Sequence, residues 1–383
     1  MNASLHEAAT AWRRHLHANP GLTLDEGEAA AFVVEQLRAI GVTEIETGVG
    51  GHGVVATLRR AGGNRSVGLR ADMDALPIQE LDETLPWRSR KPGVMHACGH
   101  DGHTASLLAT AALLHQDTGW SGTIRLVFQP AEEGGGGARS MIQDGLFQRF
   151  PMERIFGWHN WPGLEAGTVA IHPGPVMAAG ARFELVFDGH AGHAALPHMT
   201  RDPVLGMGHA IVALQSIVSR AVDPVKSGVV SITVAEGGTA TNQVPARALI
   251  RGTARWLDEA VGDLIEARMR EIGQGIAATY GLSCEVMFRR GVPVTINHPA
   301  EAETAAAAAA SVTAIRRDMA PAMTGEDFAW FLKEVPGAFV WIGNGPADNG
   351  RELHHPAYDF NDAIIPTVAN YLATVAKRAL TEG

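Results

Sequence analysis

The chain has 383 residues, of which 46% are hydrophobic and 19% are charged, and its formal net charge is −10. This length and balance predict a globular protein of two or three domains, and the scattered positive residues argue against nucleic acid or an anionic membrane as a partner. The sequence has only two cysteines, no signal-peptide pattern and no apolar run of about 18 residues. These features predict a cytoplasmic protein that does not span a membrane.

The first part of the chain alternates between predicted helices and strands. Apolar periodicity predicts a helix over 4–17, with Ser4 as its N-cap and Glu7 completing a capping box, and a second helix over 28–40 that ends at Gly41. Further along we predict strands over 53–58, 66–71 and 122–128, and a helix over 104–115. This alternation is typical of an α/β layered domain.

The pattern changes after the Pro-Gly-Pro segment at 173–175. We predict four strands and two helices there, over 181–188, 203–221, 228–235, 246–256, 258–280 and 283–289. Helices resume with an Ala-rich segment over 300–310 and a last helix from Pro366. We therefore predict an α/β fold in two domains. The first domain (1–178 and 294–383) has a mixed sheet between helices, and a smaller α+β domain (179–293) is inserted into it.

The segment His96-Ala97-Cys98-Gly99-His100-Asp101-Gly102-His103 is the richest in reactive side chains. Thiolate and imidazole are strong ligands for zinc and related metals, and the two glycines let the backbone wrap closely around an ion. The alternative is a polar loop with a free thiol. One Cys, three His and one Asp within eight positions favour a metal site.

A pair of glutamates, Glu132 and Glu133, follows the strand predicted over 122–128. The exit of a strand is where α/β sheets place their sites. Because neighbouring residues of an extended chain point to opposite sides, one glutamate could bind metal while the other takes a proton from water. A solvated acidic turn is an equally good interpretation of this pair alone.

Two further histidine segments and an aspartate pair complete the candidate set. His159 lies between two tryptophans, where a lone histidine is more often structural, and His354 and His355 stand together in a predicted loop. Asp72 and Asp74 follow another strand and are expected to orient an imidazole rather than bind metal themselves, or simply to cap a turn. Sulfur, nitrogen and oxygen donors from four segments are enough for two ions that share a bridging water.

The predicted inserted domain offers a smaller set of polar residues. His193 lies in a Gly/His loop after a strand, and Asn242 precedes the strand that carries Arg255. A neutral histidine or an amide can hold a developing oxyanion, and an arginine can bind a carboxylate with two parallel hydrogen bonds. Such loops are also common surface turns, so these residues alone do not predict catalysis.

Six segments in this order make the chain resemble a known family, namely 70–77, 96–103, 129–137, 158–162, 324–328 and 353–362. The chain resembles the amidohydrolase branch of the aminoacylase/carboxypeptidase metallopeptidases over essentially its whole length. That branch includes hippurate hydrolases, N-acetyl-amino-acid deacetylases and plant auxin-conjugate hydrolases. The Cys-Gly-His-Asp and Pro-Ala-Glu-Glu motifs carry most of the resemblance.

The resemblance implies a metal-dependent enzyme that cleaves the amide bond of small N-acyl amino acids. It implies that the domain formed by 1–178 and 294–383 is catalytic and that the inserted domain is a lid or dimerisation domain. It also implies two divalent ions (zinc, manganese, cobalt or nickel), a homodimer or homotetramer, and Glu132 as general base. His193 and Asn242 would meet the scissile carbonyl, and Arg255 would bind the substrate carboxylate. The implied metal ligands are Cys98, His100, Glu133, His159 and His354, with His355 as the alternative to His354.

Two other functions remain open. A dipeptidase or carboxypeptidase could use the same scaffold. Such an enzyme would have to recognise a free α-amine at the other end of its substrate, and no acidic residue is obvious for that. A non-catalytic metal-binding homologue would be expected to lack the base or some ligands, whereas each implied residue is present.

Overall fold

We describe a computed structural model of the chain, which covers residues 1–348 and 351–382. The chain divides into two compact units. The first contains Met1–Gly174, Ile296–Ala320 and the residues from Asp327 onwards, and the second contains Pro175–Thr295 and Pro321–Glu326. The segment predicted for the inserted domain, 179–293, lies within the main span of the second unit. Its role as a lid or dimerisation domain stays a prediction.

Strands and helices are numbered here in chain order. The strands are β1 (Glu44–Val49), β2 (Gly53–Arg60), β3 (Ser66–Asp72), β4 (Gly122–Gln129), β5 (Arg154–Pro162), β6 (Val169–Ala170), β7 (Gly174–Met177), β8 (Ala179–Asp188), β9 (Gly192–His193), β10 (Gly228–Gly237), β11 (Gln243–Val244), β12 (Arg247–Trp256), β13 (Ser283–Arg290), β14 (Thr295–Asn297), β15 (Ile315–Arg316) and β16 (Gly337–Gly345). The helices are α1 (Ala3–Ala18), α2 (Gly27–Ile40), α3 (His100–Gln116), α4 (Gly137–Gln143), α5 (Leu146–Arg149), α6 (Pro203–Ser216), α7 (Glu259–Tyr280), α8 (Pro299–Ala310), α9 (Ala329–Glu334) and α10 (Ile365–Thr381).

The first unit is built on an eight-stranded sheet in the order β1-β2-β4-β3-β5-β16-β6-β15. The central neighbours β4, β3, β5 and β16 are parallel, whereas β1, β2 and the β16–β6 pair are antiparallel, so the sheet is mixed. Helices α3 and α10 pack on the sheet and are buried along most of their length. This confirms the predicted α/β class with a mixed sheet.

Helix α3 begins four residues earlier than the sequence pattern predicts, at His100 rather than near Thr104. Its N-cap is Gly99, which has φ +90°, and a Cβ at this position would collide with the Tyr358 hydroxyl and the Asn160 amide. Only glycine fits this left-handed and crowded turn. His100 and His103 therefore lie in the first helical turn rather than in a loop.

The capping of α1 also differs from the sequence prediction. Asn2, not Ser4, is the N-cap, because its side-chain oxygen accepts a hydrogen bond of 2.9 Å from the backbone N–H of Leu5. The helix thus starts one residue earlier than predicted. The predicted end of α2 at Gly41 is confirmed, since this glycine adopts φ +104° and caps the helix.

The second unit contains a four-stranded antiparallel sheet in the order β10-β12-β8-β13, with α6 and α7 packed on one face. By length and composition alone, Pro203–Ala221 would be apolar enough to cross a membrane, although no such run was expected from the sequence. Gly206, Ala210 and Leu214 of this segment are buried within the unit. Its other face leaves Leu205 and Val212 exposed.

Candidate metal centre and active site

The predicted metal ligands of the first unit come from four segments that the fold brings together. Strands β3, β4 and β5 run parallel, so their carboxyl ends meet at one edge of the sheet. Glu132 and Glu133 follow β4, His159 lies near the end of β5, and Cys98 and His100 flank the start of α3. His354 comes from the segment before α10.

Two candidate ligand groups share Cys98. The ligand atoms of Cys98, His100 and His159 all lie within 4.8 Å of one another, and so do those of Cys98, Glu133 and His354. Sγ of Cys98 is 3.3 Å from Nε2 of His159, and Nε2 of His354 is 3.1 Å from Oε1 of Glu133. The five predicted ligands thus form one continuous cluster of sulfur, nitrogen and oxygen donors.

Two imidazoles of this cluster are held so that one ring nitrogen is available to a metal. Nδ1 of His100 lies 2.8 Å from the backbone oxygen of Asp74, and Nδ1 of His159 lies 2.6 Å from that of Asn160. A carbonyl oxygen can only accept, so Nδ1 donates in each ring and Nε2 is the nitrogen that can face a metal; on His100 an ion would displace the proton from it. Metal-binding histidines are commonly oriented in this way.

The electrostatics of the cluster fit a cation. Burial alone would lower the pKa of His100, but Asp72 and Asp74 outweigh it and raise that pKa to about 10. Burial and the nearby Glu133 raise the pKa of the Cys98 thiol well above its usual range. Burial also lowers the pKa of His159, which keeps that imidazole in the neutral form that can bind metal. The carboxylates of the cluster favour the addition of positive charge, and its sulfur and nitrogen atoms are good metal donors. Together these groups suit a divalent metal.

The two glutamates occupy a tight turn, not an extended strand, so the prediction that they point to opposite sides is wrong. Ala131 has φ +55°, and residues 132–135 form consecutive turns. Ligand atoms of both Glu132 and Glu133 lie within 4.8 Å of His100. The carboxylate of Asp74 accepts hydrogen bonds from both glutamate N–H groups, at 3.1 and 2.9 Å. Asp74 therefore fixes the turn that carries the predicted base.

His103 and Asp72 lie beside the cluster but have other partners. Nδ1 of His103 is 2.5 Å from Oδ1 of Asp72, and its Nε2 accepts a hydrogen bond of 3.1 Å from the backbone N–H of Asn160. Oδ2 of Asp72 accepts a hydrogen bond of 2.8 Å from Nη1 of Arg70. With both ring nitrogens engaged, His103 orients its neighbours and has no lone pair left for a metal.

His354 adopts a left-handed backbone with φ +62°, which is unusual for a residue with a side chain. Its backbone N–H donates a hydrogen bond of 2.8 Å to the oxygen of Ala97, one residue before Cys98. Nδ1 of His355 instead accepts from the N–H of Ala357 at 3.1 Å. Among the described residues, the candidate metal groups include His354 and not His355.

The remaining predicted site residues lie in the second unit. His193 and Gln243 are paired residues of the short strands β9 and β11, and the backbone oxygen of Asn242 accepts a hydrogen bond of 3.0 Å from Ala194. The side chains of His193 and Asn242 are exposed. The guanidinium of Arg255 lies beside Gly180, where a Cβ would come within 2.8 Å of Nη1. Their catalytic and binding roles stay predictions.

Two buried residues that sequence reasoning missed hold the segments of the cluster together. The Tyr358 hydroxyl donates a hydrogen bond of 2.8 Å to Oδ1 of Asn160, whose Nδ2 donates one of 2.6 Å to the backbone oxygen of Cys98. Neither residue is a typical metal ligand, so composition gave no reason to select them. Their positions within the motifs at 158–162 and 353–362 were the only signal.

Residues 68–378 match the peptidase family M20/M25/M40. The chain belongs to this family. N-acetyl-L-cysteine deacetylase of Bacillus subtilis is 39% identical over 374 residues, which cover 96% of this chain and 87% of the relative. Hippurate hydrolase of Campylobacter jejuni is 38% identical over 371 residues, which cover 96% and 95%. These relatives support membership of the amidohydrolase branch, so the predicted resemblance is confirmed.

A carboxypeptidase is also among the relatives. Thermostable carboxypeptidase 2 of Saccharolobus solfataricus is 39% identical over 336 residues, which cover 86% of this chain and 84% of the relative. The solved structure of the Bacillus subtilis YXEP protein, described as a dinuclear metal binding peptidase from the M20 family, has a TM-score of 0.89 and 34% identity and covers 100% of both chains. As a member of this peptidase family, this protein is a hydrolase.

Proposed function

We propose that this M20 hydrolase cleaves the amide bond of N-acyl amino acids, such as N-acetyl or N-benzoyl derivatives, with two divalent metal ions. Cys98, His100, Glu133, His159 and His354 would hold the ions, which would be zinc, manganese, cobalt or nickel. The observation that carries this proposal is the overlap of two ligand groups at Cys98, directly beside Glu132. Shared ligands suit two ions held a few ångströms apart.

The bound ions would acidify water and polarise the substrate carbonyl. Glu132 takes a proton from the attacking water as the new C–O bond forms. It then returns that proton to the amide nitrogen as the C–N bond breaks, which yields a carboxylic acid and a free amino acid. The hydrogen bond that Oε1 of Glu132 accepts from the N–H of Asp327, at 3.4 Å, helps to orient this carboxylate.

The proposal also includes roles for three residues of the second unit. His193 and Asn242 would stabilise the negative charge that develops on the carbonyl oxygen. Arg255 would bind the carboxylate of the amino-acid part, for which its planar group with several donors is suited. These roles come from the family resemblance of the residues and from their shared location in the second unit.

Similarity supports acyl amino acids as substrates. Two relatives that each align with 96% of this chain are named for hydrolysis of N-acetyl-L-cysteine and of hippurate, which is N-benzoylglycine. The second candidate is a carboxypeptidase, and the 39% identical carboxypeptidase is the observation that favours it. A purely metal-binding protein has less support, because Glu132 is retained in the cluster.

A substrate panel separates these functions. The purified chain is stripped with a chelator, supplied with zinc, manganese, cobalt or nickel, and assayed on N-acetyl and N-benzoyl amino acids, unblocked dipeptides and N-blocked peptides. We expect metal-restored cleavage of the acyl amino acids. Cleavage of peptides alone would establish the carboxypeptidase or dipeptidase function instead, and no cleavage with any metal would favour the binding-protein function.

We also propose a cytoplasmic homodimer or homotetramer. The exposed apolar face of α6, which includes Leu205 and Val212, supports contact with a second copy of the chain. The unpaired cysteines, Cys98 and Cys284, are compatible with a reducing compartment. Light scattering after gel filtration tests the oligomer, and cell fractionation tests the location.

A further inference from the structure

A largely buried group of charged side chains joins α1 to two segments that bear proposed metal ligands. Its cations are Arg13 and His17, which lie one helical turn apart and are both 0% exposed. Its carboxylates are Glu80, Asp101, Asp359 and Asp362. All six residues belong to the first unit, and we refer to them as the α1 charge cluster.

Arg13 anchors the segment that follows His354. Its Nε and Nη2 donate to the two carboxylate oxygens of Asp362, at 2.6 and 2.8 Å, and its Nη1 donates to Asp359 at 3.3 Å. Two parallel hydrogen bonds from one planar group fix both the position and the orientation of the carboxylate. The segment from His354 to α10 is therefore held against the buried face of α1.

His17 anchors the start of α3. Its Nδ1 lies 2.8 Å from Oδ2 of Asp101, the residue directly after His100, and its Nε2 lies 3.1 Å from Oε1 of Glu80. Because a carboxylate accepts from each ring nitrogen, this imidazole donates from both.

Glu80 connects this anchor to the other ligand-bearing segment. The next residue, Leu81, donates its N–H to the backbone oxygen of Pro356 at 2.9 Å. Hydrogen bonds thus connect His17 to the start of α3 through Asp101, and to the segment that carries His354 through Glu80 and Leu81.

Metal ligands must be placed to within a few tenths of an ångström, and the proposed ligands come from separate segments. Arg13 and His17 touch neither Cys98 nor any other proposed ligand in the described contacts, but they bind residues next to or shortly after His100 and His354. An ion cluster needed only for stability could be replaced by apolar packing, and it would not have to lie beside these two segments.

We propose that Arg13 and His17 are positioning residues for the metal centre. They fix the positions of the two segments that carry His100 and His354 relative to each other. Both ligand groups that share Cys98 can then form in the same folded state. This inference rests on the proposed function, because it assumes that these groups bind metal.

The test uses the full chain with His17→Gln, which can keep only part of the bonding, and Arg13→Lys, which keeps the charge but cannot bond both oxygens of Asp362 in parallel. Arg154→Gln is the matched control. It breaks a mostly buried ion pair of 3.5 Å with Glu301 at the start of β5, outside the α1 charge cluster. Each chain is stripped of metal, and its affinity for zinc and cobalt is measured by calorimetric titration, together with its thermal unfolding midpoint.

We expect both α1 variants to bind metal about 10- to 100-fold more weakly than the wild type, as is typical when the groups that orient metal ligands are lost. At saturating metal, kcat should recover while KM for substrate stays unchanged. The Arg154→Gln control should lower only the unfolding midpoint. If His17→Gln does not fold, Arg13→Lys decides the outcome.

Wild-type metal affinity in a folded Arg13→Lys chain, with a drop in unfolding midpoint like that of the control, would overturn the inference and leave a structural role only. Metal affinity is measured without substrate, so the two proposals can fail separately. A wild-type chain that binds metal tightly but cleaves no acyl amino acid contradicts the proposed function and leaves the positioning result standing.

Discussion

The two units differ in how they present most of their predicted functional residues, with His354 of the first unit as an exposed exception. In the first unit Cys98, His100 and His159 are buried, and the histidines are oriented by backbone oxygens at 2.8 and 2.6 Å. In the second unit the side chains of His193 and Asn242 are exposed at a short strand pair.

This difference in exposure suits the roles proposed for the two sets of residues. A metal site needs several donors fixed before the ion arrives, and burial with hydrogen-bonded support supplies that. Groups that contact a substrate gain their partners only when it binds, so exposure in the free protein is expected of them. We therefore expect changes in the first unit to alter metal content or kcat, and changes in the second to alter turnover or KM at unchanged metal content.

The largest effect is expected from Cys98→Ala, because Cys98 is shared by both candidate ligand groups. The variant should lose bound metal and nearly all hydrolysis. Metal content by mass spectrometry after dialysis checks this. Full occupancy in the variant would remove Cys98 from the ligand set. Cys284→Ala, at a partly buried cysteine of the second unit, serves as the control that should retain metal.

Glu132→Gln should separate catalysis from metal binding. Loss of the proton acceptor is expected to lower kcat by about 10²- to 10⁴-fold while the metal content stays at the wild-type level. Steady-state kinetics and metal analysis on the same preparation measure both. Near-normal turnover would show that another group takes the proton.

Asp74→Asn should have an intermediate effect, because Asp74 supports the cluster without being a proposed ligand. Its carboxylate accepts from the N–H groups of Glu132 and Glu133 and from the hydroxyl of Thr23. Weakening this support is expected to reduce metal affinity or activity about 10- to 100-fold. Unchanged values for both would mean that the glutamate turn holds its shape without the charge.

Arg255→Lys tests the second unit. If Arg255 binds the substrate carboxylate, KM for N-acyl amino acids should rise about 10-fold or more, since lysine cannot form two parallel bonds, while metal affinity stays the same. An N-acyl amino-acid amide, which lacks the carboxylate, is the matched substrate and should be insensitive to the change. An equal loss on both substrates would contradict carboxylate binding.

The last prediction concerns stability and pH rather than turnover. Burial alone would lower the pKa of His17, but hydrogen bonds to Asp101 and Glu80 raise it from 6.5 to about 9. Because the pKa is higher in the folded state, proton binding to His17 stabilises the fold by roughly 3 kcal/mol. This contribution is fully present below pH 6.5 and is lost as the pH rises through about 9.

The difference in free energy of unfolding between the wild type and His17→Gln should therefore shrink between those two pH values. Denaturant titrations at several pH values measure it. A difference that does not change with pH would show that folding does not raise the pKa of His17.

The sequence predicted the mixed sheet and the donor-rich segments well, because apolar periodicity and dense Cys, His and Glu motifs are local signals. It misplaced the start of α3, since two glycines and several histidines obscure a helix whose first turn depends on Gly99. It left a turn at the two glutamates as one of two equal interpretations, because the left-handed backbone at Ala131 is set by the fold. The roles of Arg13 and His17 depend on contacts with residues far along the chain, which no local pattern reveals.

Hydrolysis of an N-acyl amino acid by the stripped protein, followed as metal is added in steps, tests the central claim most directly. The account predicts no turnover without metal and a rise that saturates at two equivalents per chain. Turnover that persists in the fully stripped protein, or that saturates at one equivalent with no second binding event, would contradict a two-metal amidohydrolase.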